Sequence, residues 1–242
     1  MTAVVLFVLG TLVGSFLNVV GLRWGSQTLW GRSSCPSCNQ VLKWWQLIPI
    51  ISFLVLRARC YHCQAKISLQ YPLIEIWTGL IFASVPHLTI PIFASYIVIT
   101  IYDFHHKIIP DTLVYTSILF ALIFRLISNG GFLDWFSGPI LFAFFGLIWL
   151  LSGGRAMGFG DAKLGLSVGL LLGSPESFSA LILAFWLGAL SSLFYIFLGK
   201  TGFLKYDEEL TMGSEVPFAP FVILGVWLSL IFKLDILHVA LL

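Results

Sequence analysis

The sequence predicts an all-α, polytopic membrane protein of about eight transmembrane helices, with a small cytoplasmic cysteine-rich subdomain between the first two. Three observations predict it. Hydrophobic residues make up 59% of the 242 and charged residues only 10%, against about 25% charged in soluble globular domains. Apolar runs recur along the whole chain, separated by short polar stretches. All four cysteines fall in the longest of those interruptions. A mean hydropathy of +0.99 excludes an ordinary water-soluble domain.

The first run, Thr2–Leu22, has about the twenty residues that a bilayer core asks for. No basic residue precedes its apolar core, so it reads as a permanent helix rather than a cleaved signal. Its basic flank, Arg23 and Arg32, follows it, which places the N-terminus outside and the next segment in the cytoplasm. The remaining runs are Tyr71–Pro86, Thr89–Tyr102, Thr112–Ile127, Phe136–Leu151, Leu164–Leu172, Phe178–Leu198 and Phe218–Phe232. Several are shorter than a full span, as happens where polar functional residues erode a helix end. Threading them alternately leaves all but Arg125 and Lys233 of the 13 basic residues on the cytoplasmic side, including Lys200 and Lys205. The net charge of +2 is therefore a topology signal, and its scattered cations make no footprint for nucleic acid.

The chain divides into a first helix (1–22), a cytoplasmic subdomain (23–70) and a helical remainder (71–242). Within the subdomain, which also holds Trp30, Trp44 and Trp45, the stretch Trp44–Leu56 reads as a short helix resting on the membrane or on the subdomain, with Pro49 limiting its regularity. Cys35-Pro36-Ser37-Cys38 and Cys60-Tyr61-His62-Cys63 are two CxxC pairs in a compartment that disfavours disulfides. Two such knuckles suit tetrahedral thiolate binding of one zinc ion, as in a zinc ribbon. Four thiolates leave no open coordination position, so Cys35, Cys38, Cys60 and Cys63 predict a structural metal that stabilises a segment too small for its own core. His62, inside the second knuckle, reads as a surface histidine.

Acidic residues number only 11, and two of them stand where apolar helices meet the cytoplasm. Asp103 follows the run ending at Tyr102, and Asp161 closes Gly158-Phe159-Gly160-Asp161 just before the run that starts near Leu164. A carboxylate at membrane depth is costly unless paired, hydrated or functional. Asp161 alone also suits a helix N-terminal cap, but Gly158 and Gly160 allow a close backbone approach that a cap does not require. Two carboxyls brought together share a proton and act as acid and base at once. Asp111 is an alternative partner that, after Pro110, reads more simply as the N-cap of the next helix. Glu75, within the second run, calls for a polar partner or a basic substrate; Lys163 suits a headgroup anchor or a substrate contact. From chemistry alone, a cation- or proton-coupled transporter using the same carboxylates remains an alternative, against which stand the missing internal repeat and the placement of both aspartates at one face. A zinc-ribbon scaffold without an active site is a third.

Several blocks occur together and in order. Gly14-Ser15-Phe16-Leu17-Asn18-Val19-Val20 with Arg23 comes first, and the two knuckles follow. Then come Tyr71-Pro72-Leu73-Ile74-Glu75, Asp103 through Ile109-Pro110-Asp111, Gly158 through Lys163, and Glu215-Val216-Pro217-Phe218-Ala219-Pro220. Over nearly the whole chain these blocks resemble the bacterial type IV prepilin peptidases, which are GxGD-type intramembrane aspartyl proteases. The resemblance implies a bacterial cell membrane enzyme that removes the leader of prepilins and pseudopilins at the cytoplasmic face, with Asp103 and Asp161 as the catalytic pair. It makes residues 71–242 the protease domain and 23–70 the zinc-binding subdomain. It also implies N-methylation of the new terminus with S-adenosylmethionine, an activity associated with the first signature and the cytoplasmic loop. Trp24-Gly25 and Ala219 depart from the family pattern, and no glycine-rich nucleotide fingerprint marks a cofactor site.

Overall fold

A computed structural model of the chain describes residues 2–25, 31–128, 130–155, 157–200 and 217–236. Trp30, Lys205, Glu215 and Val216 lie outside the described residues. Among those described, the regular structure is helical: α1 (Thr2–Arg23), α2 (Ile51–Val55), α3 (Gln70–Ser84), α4 (Ile90–His106), α5 (Asp111–Ile127), α6 (Phe132–Ser152), α7 (Phe159–Leu172), α8 (Glu176–Lys200) and α9 (Ala219–Phe232). A helix forms at every one of the eight apolar runs. Four of the helical stretches are long and apolar enough to cross a membrane: α1, α4 taken with the turn before it (His87–His106), α6, and Glu176–Phe194 of α8. The other four are shorter, from 17 residues in α5 to 14 in α7 and α9.

In water the apolar face of a helix turns inward; here the pattern is reversed. On α1 the side chains of Val4, Val5, Val8, Leu12 and Phe16 are exposed, whereas Gly10, Thr11, Gly14 and Asn18 are buried. With hydrocarbon outside there is no hydrophobic gain in hiding valine, so helices meet through small residues that let backbones approach. A Cβ on Gly10 would lie 2.8 Å from the Gly79 Cα, and one on Gly14 would strike Thr78, so α1 and α3 are in backbone contact. Asn18 reaches from α1 to the Tyr71 carbonyl (3.5 Å) while also bonding the Gly14 carbonyl one turn back (3.3 Å).

The chain forms two compact units, Met1–Ile101 and Tyr102–Leu242. The first holds α1, the cysteine-rich segment, α3 and most of α4. In its middle, Trp44–Leu47 forms one 3-10 turn and Ile51–Val55 a short helix, interrupted at Pro49 as its missing N–H requires.

The second unit holds both aspartates, and α7 is its best-packed element. A Cβ on Gly169 would overlap the Gly138 backbone, so α6 and α7 touch along their main chains. At the far end of α7, the buried Arg125 of α5 donates from Nε to the Leu170 carbonyl (2.8 Å) and from a terminal nitrogen to the Leu171 carbonyl (3.1 Å). These are last-turn carbonyls that no intrahelical N–H can serve. Asp134, in the first turn of α6, accepts the Gly131 and Ser174 N–H groups (2.8 and 3.0 Å) and pairs with Arg125 at 3.6 Å. The helix containing Asp134 starts at Phe132, earlier than the hydropathy boundary at Phe136, because Gly131 and Asp134 together close its first turn.

Candidate active site

Asp103 stands in the last turn of α4, with only 5% of its surface exposed. Its Oδ2 accepts a hydrogen bond from the Ala219 N–H at 3.2 Å. Ala219 is the first residue of α9 and Pro220, which has no N–H, the second. The orphan donor of a helix start, with the positive end of the helix dipole behind it, is thus aimed at a carboxylate.

Asp161 is the third residue of α7, whose N-cap is Gly158. The helix begins five residues before the apolar run near Leu164, so Asp161 belongs to its first turn. The half-buried carboxyl turns back to the Gly158 backbone and feels the charge of Asp103. The two aspartates, 58 positions apart in sequence, are therefore electrostatic neighbours in one unit. Gly160, between Gly158 and Asp161, sits against the Ile109-Pro110 turn: a Cβ there would come within 2.9 Å of the Ile109 Cβ. Gly158 has no such crowding.

Asp111 takes a different partner. The N-cap of α5 is Pro110, which puts Asp111 one position further in, as the first helical residue. Its Oδ1 accepts from the Lys163 ammonium at 2.6 Å, and that ammonium also lies over the Tyr115 and Phe159 rings at 5.2 and 5.3 Å.

In the other unit the four cysteine sulfurs all lie within 4.8 Å of one another. The two knuckles are built alike. Cys35 N–H bonds the Gln40 carbonyl and Cys60 N–H the Ala65 carbonyl; Asn39 and Gln64 occupy the left-handed turn position; Ser34 pairs with Val41 as Arg59 pairs with Lys66. In each, the first cysteine is buried and the second exposed. Cys35 and Cys63 sulfurs are 3.8 Å apart, which is the edge of a tetrahedron with metal–sulfur bonds of about 2.3 Å. The Cys38 N–H helps hold the Cys35 thiol down to about 6. Cys63, although the Ala65 N–H lowers it, is pushed up to about 11 by lost hydration and its three sulfur neighbours. Such a group binds four thiolates only around a cation, and its donor set and spacing fit zinc.

Residues 8–89 match a family model described as the bacterial peptidase A24 N-terminal domain, and residues 90–193 one described as the type IV leader peptidase family. A prepilin leader peptidase/N-methyltransferase of Neisseria gonorrhoeae is 34% identical over 69% of this chain and 72% of its own. The chain belongs to the type IV leader peptidase family. Proteins of the same name from Bacillus subtilis and Pseudomonas aeruginosa are 30% and 28% identical, covering 91% and 92% of the peptidase and 90% and 88% of themselves. No solved structure matches it. Membership displaces the transporter alternative.

In the peptidase, Glu75 belongs to the unit without the aspartates. Its Oε2 accepts the Ile50 N–H at 2.8 Å, and Ser15 of α1 stands beside it. It lines a cavity of about 590 Å³ within Met1–Ile101, walled by α1, the knuckles and the start of α3. Sequence reasoning missed two features here: the Ala219 N–H at Asp103, and the cavity itself. Pro217 and Pro220, bracketing a stretch with few free N–H groups, are the only trace of the first.

Proposed function

We propose that the peptidase removes the leader of type IV prepilins and pseudopilins at the cytoplasmic face of the bacterial cell membrane, using Asp103 and Asp161. The observation that carries this reading is a buried carboxyl held by a helix-start N–H, with a second carboxyl close enough to feel its charge. Asp103, its Oδ2 satisfied by Ala219, acts as the ionised member and takes a proton from water as the water oxygen bonds to the scissile carbonyl carbon. Asp161 carries the shared proton and donates it toward the carbonyl oxygen as the tetrahedral centre forms. Collapse breaks the C–N bond, and the amine leaves with a proton relayed from Asp103, giving a leader carboxylate and a free N-terminus. Lys163, held by Asp111 two residues beyond Asp161, orients the start of α7 rather than reacting.

Cys35, Cys38, Cys60 and Cys63 hold a structural zinc ion with no site left for substrate. The second activity in the relatives' names is N-methylation of the mature terminus. S-adenosylmethionine, when bound, would supply an electrophilic methyl group for that amine.

The test is cleavage of a leader-bearing prepilin by the protein purified in detergent. Asp103→Asn and Asp161→Asn should each lower the rate by at least about 10³-fold, since either loses the acid–base pair. Wild-type cleavage with undiminished turnover in both variants would remove the dyad.

A further inference from the structure

Resting on the reading that Asp103 and Asp161 work as a pair, we propose that Phe145 of α6 is a positioning residue. Its ring sets how the helix carrying Asp161 stands against the N–H that holds Asp103. Phe145 is 2% exposed. On one side lies Gly165, one turn beyond Asp161 on the same face of α7, where a Cβ would come within 2.9 Å of the Phe145 Cδ2. On another lies Phe218, edge-on with 6.3 Å between ring centroids. Phe218 immediately precedes Ala219, whose N–H is the Asp103 donor. Phe185 of α8 closes the group, 6.4 Å from Phe145 and 5.2 Å from Phe218, separations at which aromatic rings attract one another.

The contact between α6 and α7 changes character toward the aspartate. At Gly138 and Gly169 the two helices meet main chain to main chain, as helices do where burial of apolar side chains brings no gain. One turn nearer Asp161, at Gly165, the first atoms met are those of the Phe145 ring. A stiff plane inserted one turn from a main-chain contact fixes the splay of the two helices, and the splay fixes where the first turn of α7 lies. The same side of α6 also reaches that turn directly: Phe142 and Trp149 pack on Phe159 at 5.9 and 5.0 Å. Phe159 opens α7 just before Gly160 and Asp161. One face of one helix thus holds both main-chain segments on which the pair depends. A misplacement of about 1 Å at a reacting group costs on the order of 10²-fold in rate.

The experiment measures prepilin cleavage by the full-length protein in detergent, as kcat and KM across pH. It compares the wild type with Phe145→Leu, Gly165→Ala and the two combined, beside Asp103→Asn and Asp161→Asn. Phe145→Leu keeps an apolar side chain but loses the plane, so kcat should fall about tenfold or more while KM stays within about twofold. A changed separation of the carboxyls changes their mutual repulsion, so the spacing between the two limbs of the pH profile should change as well. Lys163 and Asp111, also charged at this end of α7, are paired with each other at 2.6 Å. Gly165→Ala fills the notch that receives the ring and should lower kcat by itself, which keeps the test decisive if Phe145→Leu folds poorly. Combining the two should restore part of the rate, because the smaller side chain makes room for the methyl. The fully buried Val226 of α9 supplies the control: Val226→Ala should lower the melting temperature and leave kcat and the limbs where they were. An equal loss of kcat in Val226→Ala and Phe145→Leu at matched melting temperature would reduce the ring to ordinary packing and overturn the proposal. Unmoved kcat and limbs in both single variants, with cleavage lost in both aspartate variants, overturn it too and leave the pair standing. Undiminished cleavage in both aspartate variants overturns the pair, and this proposal with it.

Discussion

A carboxylate in an apolar helix announces itself by its cost, and that is why Asp103 and Asp161 stand out among 11 acidic residues. What faces Asp103 does not announce itself, because the Ala219 N–H is a main-chain group common to every residue but proline. The same blindness applied to Asp111: a helix start was legible after Pro110, but the Lys163 ammonium that takes its side chain is 52 positions away. A pair sharing one proton predicts a bell-shaped pH profile for leader cleavage. The rate falls at low pH, where both carboxyls hold protons and none can accept one from water, and at high pH, where neither can donate. A profile with a single limb would leave only one titrating group in the step. Gly160 offers a steric test. Gly160→Ala puts a methyl within 2.9 Å of the Ile109 Cβ, an overpacking that costs about 1–3 kcal/mol and displaces the first turn of α7. Turnover should fall while expression persists, and Ile109→Ala in the same chain should restore part of it. No rescue would mean that the glycine serves something other than this contact.

The helices were legible from hydropathy, but their ends were not. Helix α7 starts at Phe159 rather than near Leu164, since Gly158 caps it and the polar residues of the first turn hide its beginning from any apolar count. Its packing was hidden for the reason that reverses α1: between membrane helices the contact residues are glycines, which hydropathy barely weighs. Helix α7 is held at both ends against α5, by Lys163 to Asp111 at the start and by Arg125 to the Leu170 and Leu171 carbonyls at the finish. Because α7 carries Asp161 at one end, slack at the other is transmitted along a rigid rod. Arg125→Met leaves two helix-end carbonyls and Asp134 without their cation. Breaking a buried charge pair costs about 3–5 kcal/mol, and interhelical hydrogen bonds in membranes average nearer about 0.6 kcal/mol; Asp134, partly exposed, recovers some hydration. The loss should be on the order of 2 kcal/mol, read as a lowered melting temperature in detergent, with Arg125→Lys intermediate. An unchanged melting temperature would show that α7 does not depend on this clamp.

At the scale of the whole molecule, the proposed orientation, with the cysteine-rich segment in the cytoplasm, is open to direct test. Arg57, Arg59 and Lys66 all belong to the cysteine-rich segment between α1 and α3, and the general preference of basic residues for the inner side would keep it in the cytoplasm. This segment is also the one whose order depends least on apolar burial: its regular hydrogen bonds are those of the two knuckles and of two short helical turns. A closed four-thiolate zinc site would supply the free energy that its core cannot. Orientation and metal dependence therefore meet in one measurement. In inverted membrane vesicles, trypsin should reach residues 57–66 slowly, and removal of zinc by a chelator should speed cutting by at least about tenfold, because proteolysis follows the population of the opened segment. In intact spheroplasts the same sites should stay protected with or without chelator. Cutting from the outside would invert the topology, and cutting from the inside at a rate indifferent to chelator would leave the knuckles ordered by something other than metal.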